Sequence, residues 1–303
     1  MIPFERVKPK DKQLYEEILF AQPERGCEYS FANKYLWGRQ EAALAHGCAL
    51  FFSHFFGKSV YPYPIGSGDK RAAVEAIIQD AKKRGIPCRF TGMTAGDVQE
   101  LEQWYPERFH IKPQRDSFDY VYAIDDLADL RGRKFQKKRN HVNRFRAEHP
   151  DFQVVELNSC NLALAQQMVN EWFRIRMKQD PEGDYLLENI AMARAFQNYN
   201  LLGMEGILLL VDGKVVAVTM GTRMSPDTYD IHFEKALEDV DGAYPAVNCE
   251  FARYLRLKHP EVKFLNREDD MGLEGLRKAK LSYNPHHMVE KYKAYLLEDI
   301  HAD

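Results

Sequence analysis

Apolar residues recur along this chain with two different periods, and the switches between those periods divide it into elements. Spacings of three and four over Lys10 to Phe20 predict an amphipathic helix, and the same pattern over Asp69 to Arg84 predicts a stronger one. Between them, alternation near Glu41 to Ala45, Ala49 to His54 and Ser59 to Tyr63 predicts three strands parted by HG and GK turns. A strand over Pro87 to Thr91 follows. Next comes a helix that Thr94 opens with Asp97 three residues on, then strands near Phe109 and over Ser117 to Ile124.

The second half repeats this theme. A strand begins at Gln153, helices follow from Ser159 and from Tyr185, and strands are predicted over Gly206 to Val211, Val215 to Met224 and Thr228 to Lys235. A helix (Pro245 to His259), a strand (Val262 to Asn266), a helix (Leu273 to Lys280) and a last strand near His287 to Tyr295 complete it. No residue-level repeat accompanies the repeated order, so the duplication is one of architecture. The expected organisation is a first lobe over 1–130, a linking segment over 131–152 and a second lobe over 153–303 that carries the site.

Between the halves lies LRGRKFQKKRNHVNRF, residues 130–145. On a helix, Phe135, Val142 and Phe145 share one stripe, while Lys134, Lys137, Lys138, Arg144 and Arg146 are spread around the remainder. The stripe is expected to dock against a domain. Asn140 and Asn143 are poor helix-interior residues, kept where an amide has a definite hydrogen-bond partner. Lys138 and Arg139 are therefore the expected ligand contacts at a cleft between the halves, with Asn140 fixing the junction.

Composition narrows the classes. The 303 residues are 45% apolar and 12% aromatic, enough for well-filled cores, which argues against disorder. The formal net charge of −3 argues against a dedicated DNA binder and makes any anion site local. Five cysteines, far apart and never in a C-x-x-C pair, fit a reducing cytoplasm better than a disulfide framework. The most apolar runs, CALFFSHFF and GILLLV, are far shorter than the roughly 20 residues of a membrane-spanning helix, so no membrane insertion is expected.

Antiparallel strands followed by a strand-loop-helix-strand step is the order of the Gcn5-related N-acetyltransferase fold, here met twice. The segments LRGRKFQKKRNHVNRF, HFEKALEDVDGAYPAVNCEF and FLNREDDMGLEGLRKAKLSYNPHHMVEKY carry a closer resemblance, together with SFANKYLWG, YPYPIGSGD and FDYVYAIDDLADLRG. Over essentially the whole chain they resemble the C-terminal domain of phosphatidylglycerol lysyltransferases and the stand-alone bacterial proteins that share it, relatives of the peptidoglycan-bridge aminoacyltransferases. The resemblance implies an α/β fold of two tandem acetyltransferase-like lobes with mixed sheets, joined by a basic helix, and it implies acyl or aminoacyl transfer. The lipid-modifying members carry a multi-span membrane domain that this sequence does not contain.

In such a fold two central strands part to admit the acyl donor, and the candidates here are Thr228 to Lys235 and Val262 to Asn266. The period of two puts Asp230, His232 and Glu234 on one face of the first, a polar face unexpected inside a covered sheet. Glu234 or His232 is the candidate base for an attacking amine, Glu234 being nearer the strand end. The following loop enters a helix with Pro245 in its first turn, where backbone N–H groups and Gly242, with Tyr244 and Asn248, suit an anionic ligand. The acetyltransferases' coenzyme A loop is not matched there: Asp239 replaces its leading basic or amide residue and Tyr244 its final small one, and Asp239 and Asp241 would repel phosphates.

The run NREDD, Asn266 to Asp270, ends the second candidate strand with ionisable groups too crowded to be buried independently. Glu268 and Asp269 are expected to hold an amino group and Arg267 a carboxylate, with Asn266 and Lys280 completing the ligand contacts. A second anion-loop candidate, PIGSGDK, precedes the helix of the first half without P-loop spacing. No His-x-x-x-His, clustered cysteines or calcium loop occurs, so no metal site is expected, and no G-x-S-x-G elbow is present.

The expected function is transfer of an acyl group to an amine or hydroxyl by direct attack. No cofactor is firmly implied. Aminoacyl-tRNA is the favoured donor, since local lysines and arginines neutralise phosphates, with a small-molecule acyl-CoA as the rival. A module that holds an anionic metabolite or RNA without turnover is the alternative of another class.

Overall fold

The computed structural model describes residues 1–23, 26–37, 40–55, 57–183 and 185–299. The first half contains β1 (Glu5–Arg6), α1 (Lys12–Phe20), α2 (Phe31–Leu36), β2 (Gln40–Ala45), β3 (Cys48–Phe55) and β4 (Lys58–Pro62), then α3 (Lys70–Arg84), β5 (Arg89–Met93), α4 (Ala95–Trp104) and β6 (Phe109–Pro113). There follow β7 (Asp119–Ala123), α5 (Ile124–Asp129), α6 (Gln136–Glu148), β8 (Gln153–Glu156), α7 (Leu162–Gln179), α8 (Leu186–Gln197), α9 (Tyr199–Leu202), β9 (Glu205–Val211) and β10 (Lys214–Ser225). The chain ends with β11 (Thr228–Ala236), α10 (Ala243–Lys258), β12 (Phe264–Asn266), α11 (Glu274–Leu281), β13 (His287–Val289) and β14 (Tyr292–Leu296).

Two seven-stranded mixed sheets result, ordered β1-β2-β3-β4-β5-β14-β6 and β13-β7-β12-β11-β10-β9-β8. The compact units are not contiguous in sequence. One comprises Met1–Asp119, Asp269–Glu274 and Met288–Asp303, the other Tyr120–Glu268 and Gly275–His287. The expected linking segment, 131–152, falls inside the second unit.

The first core follows the two periods. Cys48, Leu50 and Phe52 alternate inward from β3, and Val74, Ile77, Ile78 and Ala81 meet them from one stripe of α3. Asp69 caps α3 by accepting from the Ala72 N–H at 2.9 Å, and Thr94 and Asp97 cap α4 reciprocally. In PIGSGDK the glycines serve packing: a Cβ on Gly68 would lie 2.1 Å from the His46 carbonyl oxygen, which already accepts from the Asp69 N–H at 2.9 Å. The hairpin between β2 and β3 thus fills the space that the sequence offers to an anion.

The strand expected over His287 to Tyr295 is two strands. β13 lies at the edge of the second sheet, whereas β14 inserts in the first, antiparallel to both β5 and β6. The break falls at Lys291, whose buried ammonium contacts Asp119 at 2.7 Å, Glu28 at 2.8 Å and the Cys27 sulfur at 3.3 Å.

In the second unit the basic helix docks as its stripe predicts. Phe135, Val142 and Phe145 are buried, and Leu130 and Cys249 pack with the first two. Much of its charge is spent inside the unit: Arg144 pairs with Asp241, Arg146 with Glu250, and Lys134 with Asp126 at 3.0 Å.

Candidate active site

Parallel pairing of β11 with β12 runs only from Thr228↔Phe264 to Asp230↔Asn266, while β11 continues to Ala236 against β10 on its other side. The two central strands therefore part at Ile231, beside the polar face formed by Asp230, His232 and Glu234. On that face Glu234 is held from two directions. Its Oε1 accepts from Arg267 Nη2 at 2.8 Å, and its Oε2 accepts from Asn248 Nδ2 at 3.0 Å.

Two polar atoms beside this carboxylate, Asn248 Oδ1 and Arg267 Nη1, are buried with no hydrogen-bond partner among the described residues. An unmet buried donor or acceptor costs about 1–3 kcal/mol, a cost that a ligand or water bound beside this carboxylate relieves. Aromatic rings wall the guanidinium: its carbon lies 4.8 Å from the Tyr283 ring centroid and 5.6 Å from that of Tyr122. Burial opposes the Arg267 charge, but Glu234 and the two tyrosines outweigh it and hold its pKa above the ordinary value.

Lys138, on α6, places its ammonium 4.0 Å over the same Tyr283 ring. Burial, with Arg267 and Lys137 nearby, lowers its pKa to about 8. A lysine with a depressed folded pKa costs the fold most below about pH 8, where both states are protonated, and the cost fades as pH rises toward 10.5. Lys138→Met is therefore expected to raise the urea midpoint at pH 7, with a gain over wild type that shrinks by pH 10. A gain that grew with pH would contradict this.

His232 lies deeper. Its Nδ1 is 3.0 Å from Glu268 Oε1 and its Nε2 is 2.9 Å from Thr222 Oγ1. Asn266 Oδ1 accepts from the Glu268 N–H at 2.6 Å, and Lys280 donates to the carbonyls of Arg267 and Glu268 at 2.6 and 3.2 Å. Lys280 and Asn266 thereby fix the turn that delivers Arg267 and Glu268.

The remaining candidates are placed differently. Arg139 donates to the backbone carbonyls of Leu130 and Gly132, and Asn140 is exposed. Asp269 accepts from the Met271 N–H at 3.2 Å and is grouped with the first unit. The Tyr244 hydroxyl accepts from Trp172 Nε1 at 3.0 Å, and burial pushes its pKa up to about 12. Gly242, at φ +79°, precedes α10, and a Cβ there would lie 2.8 Å from the His141 carbonyl oxygen and 3.0 Å from Phe145 Cβ. Its lack of a side chain lets α6 approach α10. Gly242→Ala is expected to cost about 1–3 kcal/mol in urea unfolding, from left-handed strain and this clash.

Tyr122, Tyr283 and Thr222 were not singled out by sequence reasoning. Tyr122 alternates with Tyr120 in FDYVYA, and Tyr283 stands in the long C-terminal motif. Those were the available signals.

Residues 21–295 match the family model described as phosphatidylglycerol lysyltransferase, C-terminal. A conserved protein of unknown function from Bacteroides thetaiotaomicron VPI-5482 is 35% identical, with a TM-score of 0.92 over 98% of this chain and 100% of its own. L-PGS from Bacillus licheniformis shares 14% identity at a TM-score of 0.71, covering 97% of this chain and 94% of its own. FemX shares 11% at 0.65, covering 98% of each. The fold is that of two tandem Gcn5-related N-acetyltransferase-like units with mixed sheets. No helix among the described residues is long and apolar enough to cross a membrane.

Proposed function

Since the chain belongs to the phosphatidylglycerol lysyltransferase C-terminal family, we propose that it moves an aminoacyl group from aminoacyl-tRNA to an amine or hydroxyl acceptor. Family and fold support acyl transfer as the reaction class. The single observation that carries the assignment of residues is the Glu234 carboxylate fixed between Arg267 and Asn248, each with one buried polar atom left for a ligand.

In this reading the acceptor's nitrogen or oxygen attacks the donor's ester carbonyl. Glu234 takes the proton that the acceptor loses, and Arg267 Nη1 donates to the developing oxyanion. Asn248 Oδ1 accepts from the aminoacyl ammonium. The ester C–O bond then breaks, and the ribose hydroxyl leaves with the proton returned from Glu234. Lys138 adds positive charge on the same side of the site, which suits a donor carrying phosphates.

Incubation with charged tRNA and, separately, with acetyl-CoA across panels of amines and alcohols tests the proposal. Acceptor-dependent deacylation of the tRNA is the expected result. Consumption of acetyl-CoA alone would move the assignment to the rival donor, and inertness toward both would remove the transferase reading.

A further inference from the structure

The fold gathers two groups of potential cation ligands, each with its three ligand atoms within 4.8 Å of one another: Cys27, Glu28 and Asp119 in the first unit, and Asp230, His232 and Glu268 in the second. The first group already encloses a cation of the chain's own, since the Lys291 ammonium contacts an atom of each member at 2.7 to 3.3 Å. In the second group the imidazole is itself a vertex. His232 Nδ1 stands 3.0 Å from Glu268 Oε1 and 3.6 Å from Asp230 Oδ2.

Those separations have a meaning in coordination geometry. Ligands held at about 2.1 Å in a tetrahedral site lie about 3.4 Å apart, and the two values straddle that edge. We propose that Asp230, His232 and Glu268 bind one divalent transition-metal ion of the zinc type, with a fourth position left for water. The donor set, one imidazole and two carboxylates, suits Zn²⁺ and its neighbours better than the all-oxygen ions.

The surroundings match what a metal-binding histidine requires. Thr222 Oγ1 lies 2.9 Å from Nε2, placed to accept that nitrogen's proton in the tautomer that an ion on Nδ1 would select. Asn266, through the Glu268 N–H, holds the third ligand in place. Asp230 is fully buried and the His232 side chain is 1% exposed, whereas that of Glu268 is 15% exposed, so an ion enters from the Glu268 side. The sequence hides this site because two of its ligands come from β11 and the third from the turn after β12, with no local spacing that marks a metal motif.

The site adjoins the Glu234 carboxylate on the same face of β11, but it uses none of that carboxylate's partners and its occupancy is read without any donor. The test is titration of the full chain, stripped with EDTA and exchanged into chelator-free buffer, with ZnCl₂ by calorimetry and with CoCl₂ by visible absorption. One ion per chain and the d–d bands of a four-coordinate ion are expected. Thr222→Val is expected to weaken binding 10–100-fold, and Asp230→Asn, Glu268→Gln and His232→Ala to lower it further. Absence of binding by the wild-type chain overturns the proposal. So does binding undiminished in Glu268→Gln and Thr222→Val, whose retained fold is checked by circular dichroism, because the ion then sits elsewhere, for instance at the exposed Cys160.

Discussion

Replacing Asp119 with alanine is expected to destabilise the first unit by about 3–5 kcal/mol, the cost of leaving a buried charge without its partner. Asp119 is fully buried and accepts from Lys291 Nζ at 2.7 Å and from the Cys27 N–H at 2.6 Å. Lys291 is 2% exposed. Burial pulls its pKa down, but the Asp119 and Glu28 carboxylates outweigh that and hold it well above the ordinary value. Removal of Asp119 leaves the ammonium with Glu28, on the more exposed side of the cluster.

Urea unfolding measures the loss. Adding Lys291→Met to Asp119→Ala should recover much of it, because an apolar pair of similar volume often replaces a buried ion pair at little cost. A single-variant loss below about 1 kcal/mol, the range of an exposed pair, would show that the buried arrangement does not hold in solution.

Glu234→Gln is expected to lower the transfer rate constant by about 10²–10⁴-fold while leaving donor affinity within a few-fold of wild type. The substitution removes a proton acceptor but keeps the shape. A glutamine carbonyl still accepts from one of its two neighbours, Arg267 Nη2 or Asn248 Nδ2, so Arg267 stays in place when the carbonyl faces it and Asn248 keeps Oδ1 toward the ligand when it does not rotate. Single-turnover measurements separate the rate constant from the affinity. Equal losses in both would make Glu234 a group that positions the donor, and the proton would have another destination.

Elements fixed by local chemistry were legible in the sequence. The Thr94–Asp97 capping pair and the Phe135–Val142–Phe145 stripe depend on residues a few positions apart, and they fold as their spacing predicts. The polar face of β11 was visible for the same reason, since alternation is a property of one strand. Three other features depend on partners distant in sequence. Gly68 accommodates the His46 turn, Gly242 admits α6, and Lys291 finds Asp119 and Glu28, so these residues looked like ligand loops or like an uninterrupted final strand.

The site divides along the same line. Glu234 and Arg267 were legible as ionisable groups at the ends of two central strands, but their engagement with each other and with Asn248 arises only where those strands part. Arg139 illustrates the converse. A guanidinium in a basic run reads as a ligand contact, yet here it satisfies carbonyls at the end of α5, a backbone need that side-chain pattern does not reveal.

The place of β14 orders events at the ribosome. β6 has β14 as its strand partner, and β5 meets β14 along the edge opposite β4, so the first sheet lacks an interior strand until Leu296 has emerged. The second sheet in turn gains its edge strand, β13, only when Val289 has emerged. Both sheets therefore wait on the last strands of the chain, and their unsatisfied edges are left for chaperones to shield until translation delivers the tail.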